Sequence, residues 1–166
     1  IIATFSSQMT LNYLTERKAE SLYREANYLS GNFVQSYYSR NQDAVTLNTL
    51  HSHFQALDTY LDASLWLLNP DGSVLINSDS SFSEESSLII EDFDPTDMGN
   101  HYYLISDFYG MFDEEMLSVI TPITYHFKTR GYILIHTPMS LLVRERDQLL
   151  NTTYLTFLMI FLLSLL

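Results

Sequence analysis

The stretch Ser64 to Ser78, SLWLLNPDGSVLINS, constrains this chain more than any other. Leu65, Trp66, Leu67 and Leu68 form an unbroken apolar run, the pattern of a strand buried on both faces. Asn69-Pro70-Asp71-Gly72 supplies turn chemistry: Pro70 presets φ at the first corner, Asp71 tolerates the second, and Gly72 accepts a positive φ. Val74 and Ile76 alternate with polar neighbours, so the return strand is half buried. A hairpin this short needs further strands to cover it. Since the chain before it reads as helical, those strands must come from the residues after it.

Two helical segments precede the hairpin. From about Met9 to Tyr38, Leu11, Leu14, Leu22, Ala26, Leu29, Phe33 and Tyr37 fall at helical spacing, with Lys18 where the stripe lapses. Glu20 and Arg24 are placed for an i,i+4 ion pair. A polar break at 39–42 follows, with Asn41 or Asp43 as the cap of the next helix. Its stripe is Leu47, Leu50, Phe54, Leu57 and Leu61, and His51 and His53 read as solvated surface residues. After the hairpin, Tyr102 to Phe108, Met116 to Thr124 and Tyr132 to His136 read as strands. Pro122 belongs at an edge or bulge, and Lys128-Thr129-Arg130-Gly131 reads as a turn. Thr137 as N-cap and Pro138 at N1 then start a last helix.

Charge is distributed unevenly. The formal net charge is −12, which disfavours nucleic acid as a partner. Between residues 41 and 127 there is no Lys or Arg but fifteen Asp and Glu, so the middle of the chain is anionic and attracts cations. Cysteine is absent, which excludes disulfide scaffolds and thiol nucleophiles. Tyr154 to Leu166, YLTFLMIFLLSLL, carries no charge. Its all-round apolarity reads as the first part of a spanning helix, which needs about 20 such residues. Ile1 to Phe5 reads as the last turn of a preceding span. Both long helices are therefore expected to leave the domain from one side, and the first to pair with a second copy of itself.

This order resembles the extracytoplasmic PAS-like sensor domains, of PDC or single-Cache type, of bacterial membrane histidine kinases. LWLLNPDGSVLINS is similar to the family's hairpin of strand, D-x-x-G, strand and serine. SVITPITYHFKTRGYILIHTPMSLL is similar to its paired final strands and proline-started helix. The resemblance implies an α+β fold: a central antiparallel five-stranded sheet flanked by long N-terminal helices, with a C-terminal helix leading into the membrane. It divides the chain into membrane-proximal, dimerising helices over 1–62, a sensor sheet over 63–137 with an acidic insertion over 79–100, and an exit helix over 138–166. It implies a homodimer in the cell membrane, its domain outside the cytoplasm, passing ligand or cation binding through two membrane helices. A chemoreceptor or diguanylate cyclase can carry the same module. A membrane-anchored interaction protein without ligand and an extracellular hydrolase are the rivals from other classes.

No nucleophile motif, phosphate-binding glycine loop or EF-hand spacing is present, so the domain itself is read as non-catalytic. Two sets of residues are candidates for binding. Glu91, Asp92, Asp94 and Asp97, with Asp113, Glu114 and Glu115, are oxygen-rich; they read as a solvated surface or as a loose calcium or magnesium site. Some relatives face anionic lipid through such bridging cations and yield to cationic peptides. The resemblance also implies a small-molecule pocket built from central strands and their connections. There Asp107-Phe108-Tyr109-Gly110 resembles a D-x-x-G element, with Tyr103 and Tyr125 nearby. His136, in an apolar strand, reads as a hydrogen-bonded core residue.

Overall fold

A computed structural model describes residues 2–38, 46–80, 88–98 and 101–165, except the side chains of Ile2, Phe33 and Gln35. Helix α1 runs Ile2–Leu29 and continues through a π-turn, Ser30–Val34, into α2, Gln35–Tyr38. Helix α3 spans Leu47–Leu61. Strands β1 (Ser64–Leu68), β2 (Val74–Asn77), β3 (Tyr103–Ser106), β4 (Met116–Tyr125) and β5 (Lys128–Pro138) form one antiparallel sheet in the order β2-β1-β5-β4-β3. Helix α4, Met139–Ser164, follows β5. The expected α+β sheet with a long N-terminal helix is present.

The two faces of the sheet are covered differently. Leu65 and Leu67 of β1, Leu117, Val119 and Ile123 of β4, and Ile133 and Ile135 of β5 face the helices. There they meet Ala19, Leu22, Ala26, Leu29 and Val34 of the first helical run and Leu50 and Phe54 of α3. The alternate residues, Trp66, Leu68, Ile120 and Leu134, face the other way. This period-2 division explains why β1 is apolar throughout: both faces are buried.

The helix stripe is shifted by one residue from its expected phase at its centre. Ala19, not Lys18, is buried, and Lys18 Nζ donates to the Leu61 carbonyl (3.2 Å). The cation thus answers a carbonyl left open at the end of α3. The π-turn holds Gly31, and Ser30 Oγ donates to Pro122 O (3.1 Å). Pro122 lies beyond the reach of β3, which pairs only with Met116 to Val119, so its missing N–H breaks no ladder.

Other expectations are corrected. The cap of α3 is Thr46, whose Oγ1 accepts from Thr49 N (3.2 Å), while Asn41 and Asp43 lie outside the described residues. His51 is buried, with Nε2 at 2.8 Å from Ser80 O and 3.2 Å from Asn77 O; only His53 is exposed. The β4–β5 turn is His126-Phe127, both at positive φ (51° and 60°), so residues 128–131 belong to β5. Two-residue hairpin loops take that left-handed geometry because it matches strand twist. Thr137 stays in β5, donating to Asp62 O (3.1 Å), and Pro138 is the cap of α4. Among the described residues Arg146 pairs with Asp147 (2.8 Å), and Glu20 and Arg24 form no pair.

Gly72 is required twice at the central hairpin. Its φ is +84°, and a Cβ there would stand 2.7 Å from Ile90 O. The close approach exists because Ile90 N donates to Gly72 O (3.0 Å) and Val74 N to Leu88 O (2.8 Å). The hairpin therefore anchors the segment that covers the second face.

Helix α1 packs against α4, with Leu142 buried and Leu11 and Met139 joining the same core. Beyond it, every residue from Asn151 to Leu165 is exposed. Among the described residues, no helix is long and apolar enough to cross a membrane.

Candidate functional site

The face turned away from the helices is roofed by irregular chain. Ile90, Phe93 and Met98 come from 88–98, and Phe108, Tyr109, Met111 and Phe112 from the β3–β4 connection. Proline and acidic residues in EDFDPTD keep the first segment out of regular structure. Asp94 Oδ1 accepts from Thr96 N (2.8 Å) and Thr96 Oγ1 (2.6 Å), starting the short 3-10 turn Pro95–Met98. Those bonds hold the Asp94 carboxyl below its ordinary pKa. Tyr109 joins the two segments: its hydroxyl donates to Asp97 Oδ2 (2.6 Å) and accepts from Asp94 N (3.2 Å). Burial, and after it the hydrogen bond to Asp97, raises the tyrosine pKa.

Beneath this roof lies an aromatic box around His136. The imidazole centroid is 4.5 Å from that of Phe108, 4.9 Å from Trp66 and 5.0 Å from Phe112. Such pairs add about 0.5–1.5 kcal/mol each beyond area burial. His136 is fully buried, and burial pushes its pKa down to about 3, so the ring is neutral at physiological pH. Its Nδ1 lies 2.6 Å from Ser118 Oγ on the neighbouring strand, where Ser118 and His136 are paired residues. The serine hydroxyl has no other partner among the described residues. Assigning it as donor to Nδ1 satisfies it and places the ring proton on Nε2.

Two buried N–H donors are then left over: among the described residues, Nε2 of His136 and Nε1 of Trp66 have no hydrogen-bond partner. An orphaned buried donor costs about 1–3 kcal/mol. Phe112, half buried, packs on both rings and is the cover nearest solvent (5.4 Å from Trp66). It follows Phe108, Tyr109 and Gly110, consecutive residues at φ 48°, 57° and 72°. For two aromatic residues this left-handed region is strained.

The four residues expected to line a pocket are not brought together. Tyr109 sits in the roof of the box. Tyr103 belongs to the opposite, helix-covered face. Asp107 is exposed, its carbonyl accepting from Phe112 N (3.1 Å). Tyr125 meets His126 edge-on at the hairpin tip (4.2 Å between centroids), seven residues or about 23 Å along β4 from Ser118. Trp66, His136, Ser118, Phe108 and Phe112 form the box instead. The sequence signal for it is the lone Trp in SLWLL and the one His in YILIH, which share a sheet face only once register is known.

The acidic candidates are also dispersed. Glu91, Asp92, Asp94, Asp97, Asp113, Glu114 and Glu115 are all exposed. Among the described residues no three of His, Asp and Glu are grouped to hold a metal ion. Asp94 and Asp97 spend oxygens on Thr96 and Tyr109.

Solved structures share this architecture. The V. cholerae histidine kinase DctB sensor domain matches with a TM-score of 0.55 at 14% identity, over 84% of this chain and 57% of its own. The E. coli DcuS sensor domain matches with a TM-score of 0.53 at 18% identity, over 84% of this chain and 98% of its own. The fold is that of a PAS-like sensor domain of the PDC type. The ligand-binding domain of the Campylobacter jejuni chemoreceptor Tlp3, solved with L-valine, also aligns (TM-score 0.49, 15% identity, 84% of this chain and 65% of its own). No family model matches the chain, and neither does any curated protein. In this PDC fold the aromatic box occupies the loop-roofed face, and helices α1 and α4 meet the other.

Proposed function

We propose that the chain is the extracytoplasmic signal-sensing domain of a membrane receptor, and specifically of a sensor histidine kinase. The observation that carries this reading is the pairing of α1 with α4 where α4 continues into a wholly exposed apolar stretch, Tyr154 to Leu165. An apolar patch of that extent needs lipid or a partner to cover it. Lipid suits it, because the stretch is apolar all round rather than along one stripe. Its twelve residues reach about 18 Å into a hydrocarbon core of about 30 Å. Phe5 and Met9 on α1 are exposed apolar residues as well. Two sensor domains of this fold, DctB and DcuS, are consistent with that reading, and the fold is equally compatible with a chemoreceptor or a diguanylate cyclase.

In this account a small ligand enters between the roof and the sheet. β5 carries the box through His136 and runs directly into α4 through Pro138. Thr137 and Lys18 tie β5 and α1 to the same α3–β1 corner, at Asp62 O and Leu61 O. A change at the box thus reaches both long helices through two hydrogen bonds and one strand end. A ligand shifts them by its differential affinity for the two arrangements. In a homodimer, the two copies of α1 and α4 would stand together in the cell membrane.

The test uses the full chain in nanodiscs with nitroxides at Met9→Cys and Arg144→Cys. A panel of free amino acids, dicarboxylates, benzamide, benzoate and benzylammonium is screened by thermal shift. A compound that raises the melting temperature is expected to change the α1–α4 distance distribution. Stabilising compounds that all leave the distribution unchanged would refute the sensing reading.

A further inference from the structure

Resting on the sensing reading, we infer that the box around His136 takes a neutral, planar small molecule whose carbonyl-type acceptor bonds the Trp66 and His136 N–H groups. Both donors are at least nine-tenths buried (2% and 0% exposed) and both are unpartnered. Their rings are in edge contact, with centroids 4.9 Å apart, and Phe112 packs on both, so a molecule reaches the two donors only in the space Phe112 vacates. The surrounding surfaces are flat and apolar: Phe108, Phe112 and Trp66 itself, with Phe112 as the half-buried member that must swing aside. The left-handed run ending at Gly110 gives that movement a hinge, and Gly110 has open space around it.

Charge excludes the other ligand classes. Two N–H donors alone would also suit a carboxylate, but a buried anion needs a cation beside it. Arg17, Lys18 and Arg24 lie on α1, across the sheet, and Arg130 is exposed six residues, or about 20 Å, along β5 from His136. Arg144 and Arg146 are on α4. Lys128 is exposed at the hairpin tip, eight residues or about 26 Å along β5 from His136. Arg40 lies outside the described residues. His136 supplies no charge, since burial keeps it neutral. The roof itself bears Asp94 and Asp97, with Asp113 beyond Phe112, so the approach repels anions. A cation would be drawn by those acids and by the ring faces, but it would leave both buried N–H donors without an acceptor.

The probes are benzamide, its isosteres benzoate and benzylammonium, and toluene, each added to the full chain in mild detergent and followed by circular dichroism melting. Benzamide is expected to raise the melting temperature in a saturable way, and the other three to raise it by less than a third as much. Trp66→Phe and His136→Phe should each cut the benzamide shift by at least half. Phe112→Ala, at a half-buried position, should leave the fold intact and lower the half-saturating benzamide concentration severalfold. A larger shift with benzoate, a benzamide shift indifferent to both N–H deletions, or no shift with any probe in wild type and Phe112→Ala would overturn the inference. An amino acid or dicarboxylate that stabilises the chain and moves α1 against α4 would leave the sensing reading standing while this one fell.

Discussion

Between pH 7 and pH 5, acid should destabilise this domain through His136. Its pKa is near 6.5 in the unfolded chain and about 3 in the fold, because burial disfavours the imidazolium. A depressed folded value means that the unfolded state binds the proton first. The stabilisation is therefore full above about pH 6.5 and is lost as pH falls towards 3. Each unit is worth about 1.4 kcal/mol, so going from pH 7 to pH 5 removes about 2 kcal/mol. The anionic chain works against this trend, since protonation relieves its self-repulsion. The comparison must therefore be with a variant in which only the imidazole is gone. His136→Phe combined with Ser118→Ala removes the titrating ring without orphaning the serine hydroxyl that bonds it (2.6 Å). Urea unfolding can be followed in mild detergent through Trp66, the one tryptophan, whose ring lies 4.9 Å from His136. The wild-type stability should drop by about 2 kcal/mol more than the variant's between pH 7 and pH 5. Parallel pH profiles would show that His136 is not buried as a neutral ring, and the box as described would be wrong.

Gly72→Ala should cost about 2 kcal/mol or more, because it combines a left-handed φ with a Cβ 2.7 Å from Ile90 O; an unchanged urea midpoint would contradict the tight anchoring of the roof. Tyr109→Phe should lower stability by about 1 kcal/mol and speed proteolysis within 88–98, since the hydroxyl is what joins the two roof segments; unaltered cleavage would remove Tyr109 from that role. Millimolar calcium should raise the melting temperature no more than an ionic-strength-matched sodium control, because the roof acids are dispersed; a larger rise would return a cation to this surface.

The sequence carried the sheet well and the site poorly, for one physical reason. Strand apolarity and turn chemistry are local, so Leu65 to Leu68 and the Asn69–Gly72 turn were legible residue by residue, and β4 and the apolar part of β5 as strands. Loop-borne function is not local. Which side chains meet under the roof depends on register, and register places Trp66 diagonal to His136 through the Ser64–His136 and Trp66–Leu134 pairs. Asp107 and Tyr125 looked suitable by type alone, yet one is exposed and the other sits at a hairpin tip. His51 was misread because it lies beside the apolar stripe and what buries it is not local: its partners are carbonyls near the end of β2, 26 and 29 residues away. The His126-Phe127 turn was hidden by its composition, since neither residue advertises a positive φ.

The central claim is that α1 and α4 stand side by side in a bilayer beneath the sensor sheet. The chain lacks cysteine, so nitroxides at Phe5→Cys and Leu158→Cys report from single sites in nanodisc-held protein. The account predicts that both labels relax with oxygen and are shielded from a water-soluble nickel chelate. Ready access of the chelate to Leu158→Cys would place the apolar end of α4 outside the membrane and contradict the account.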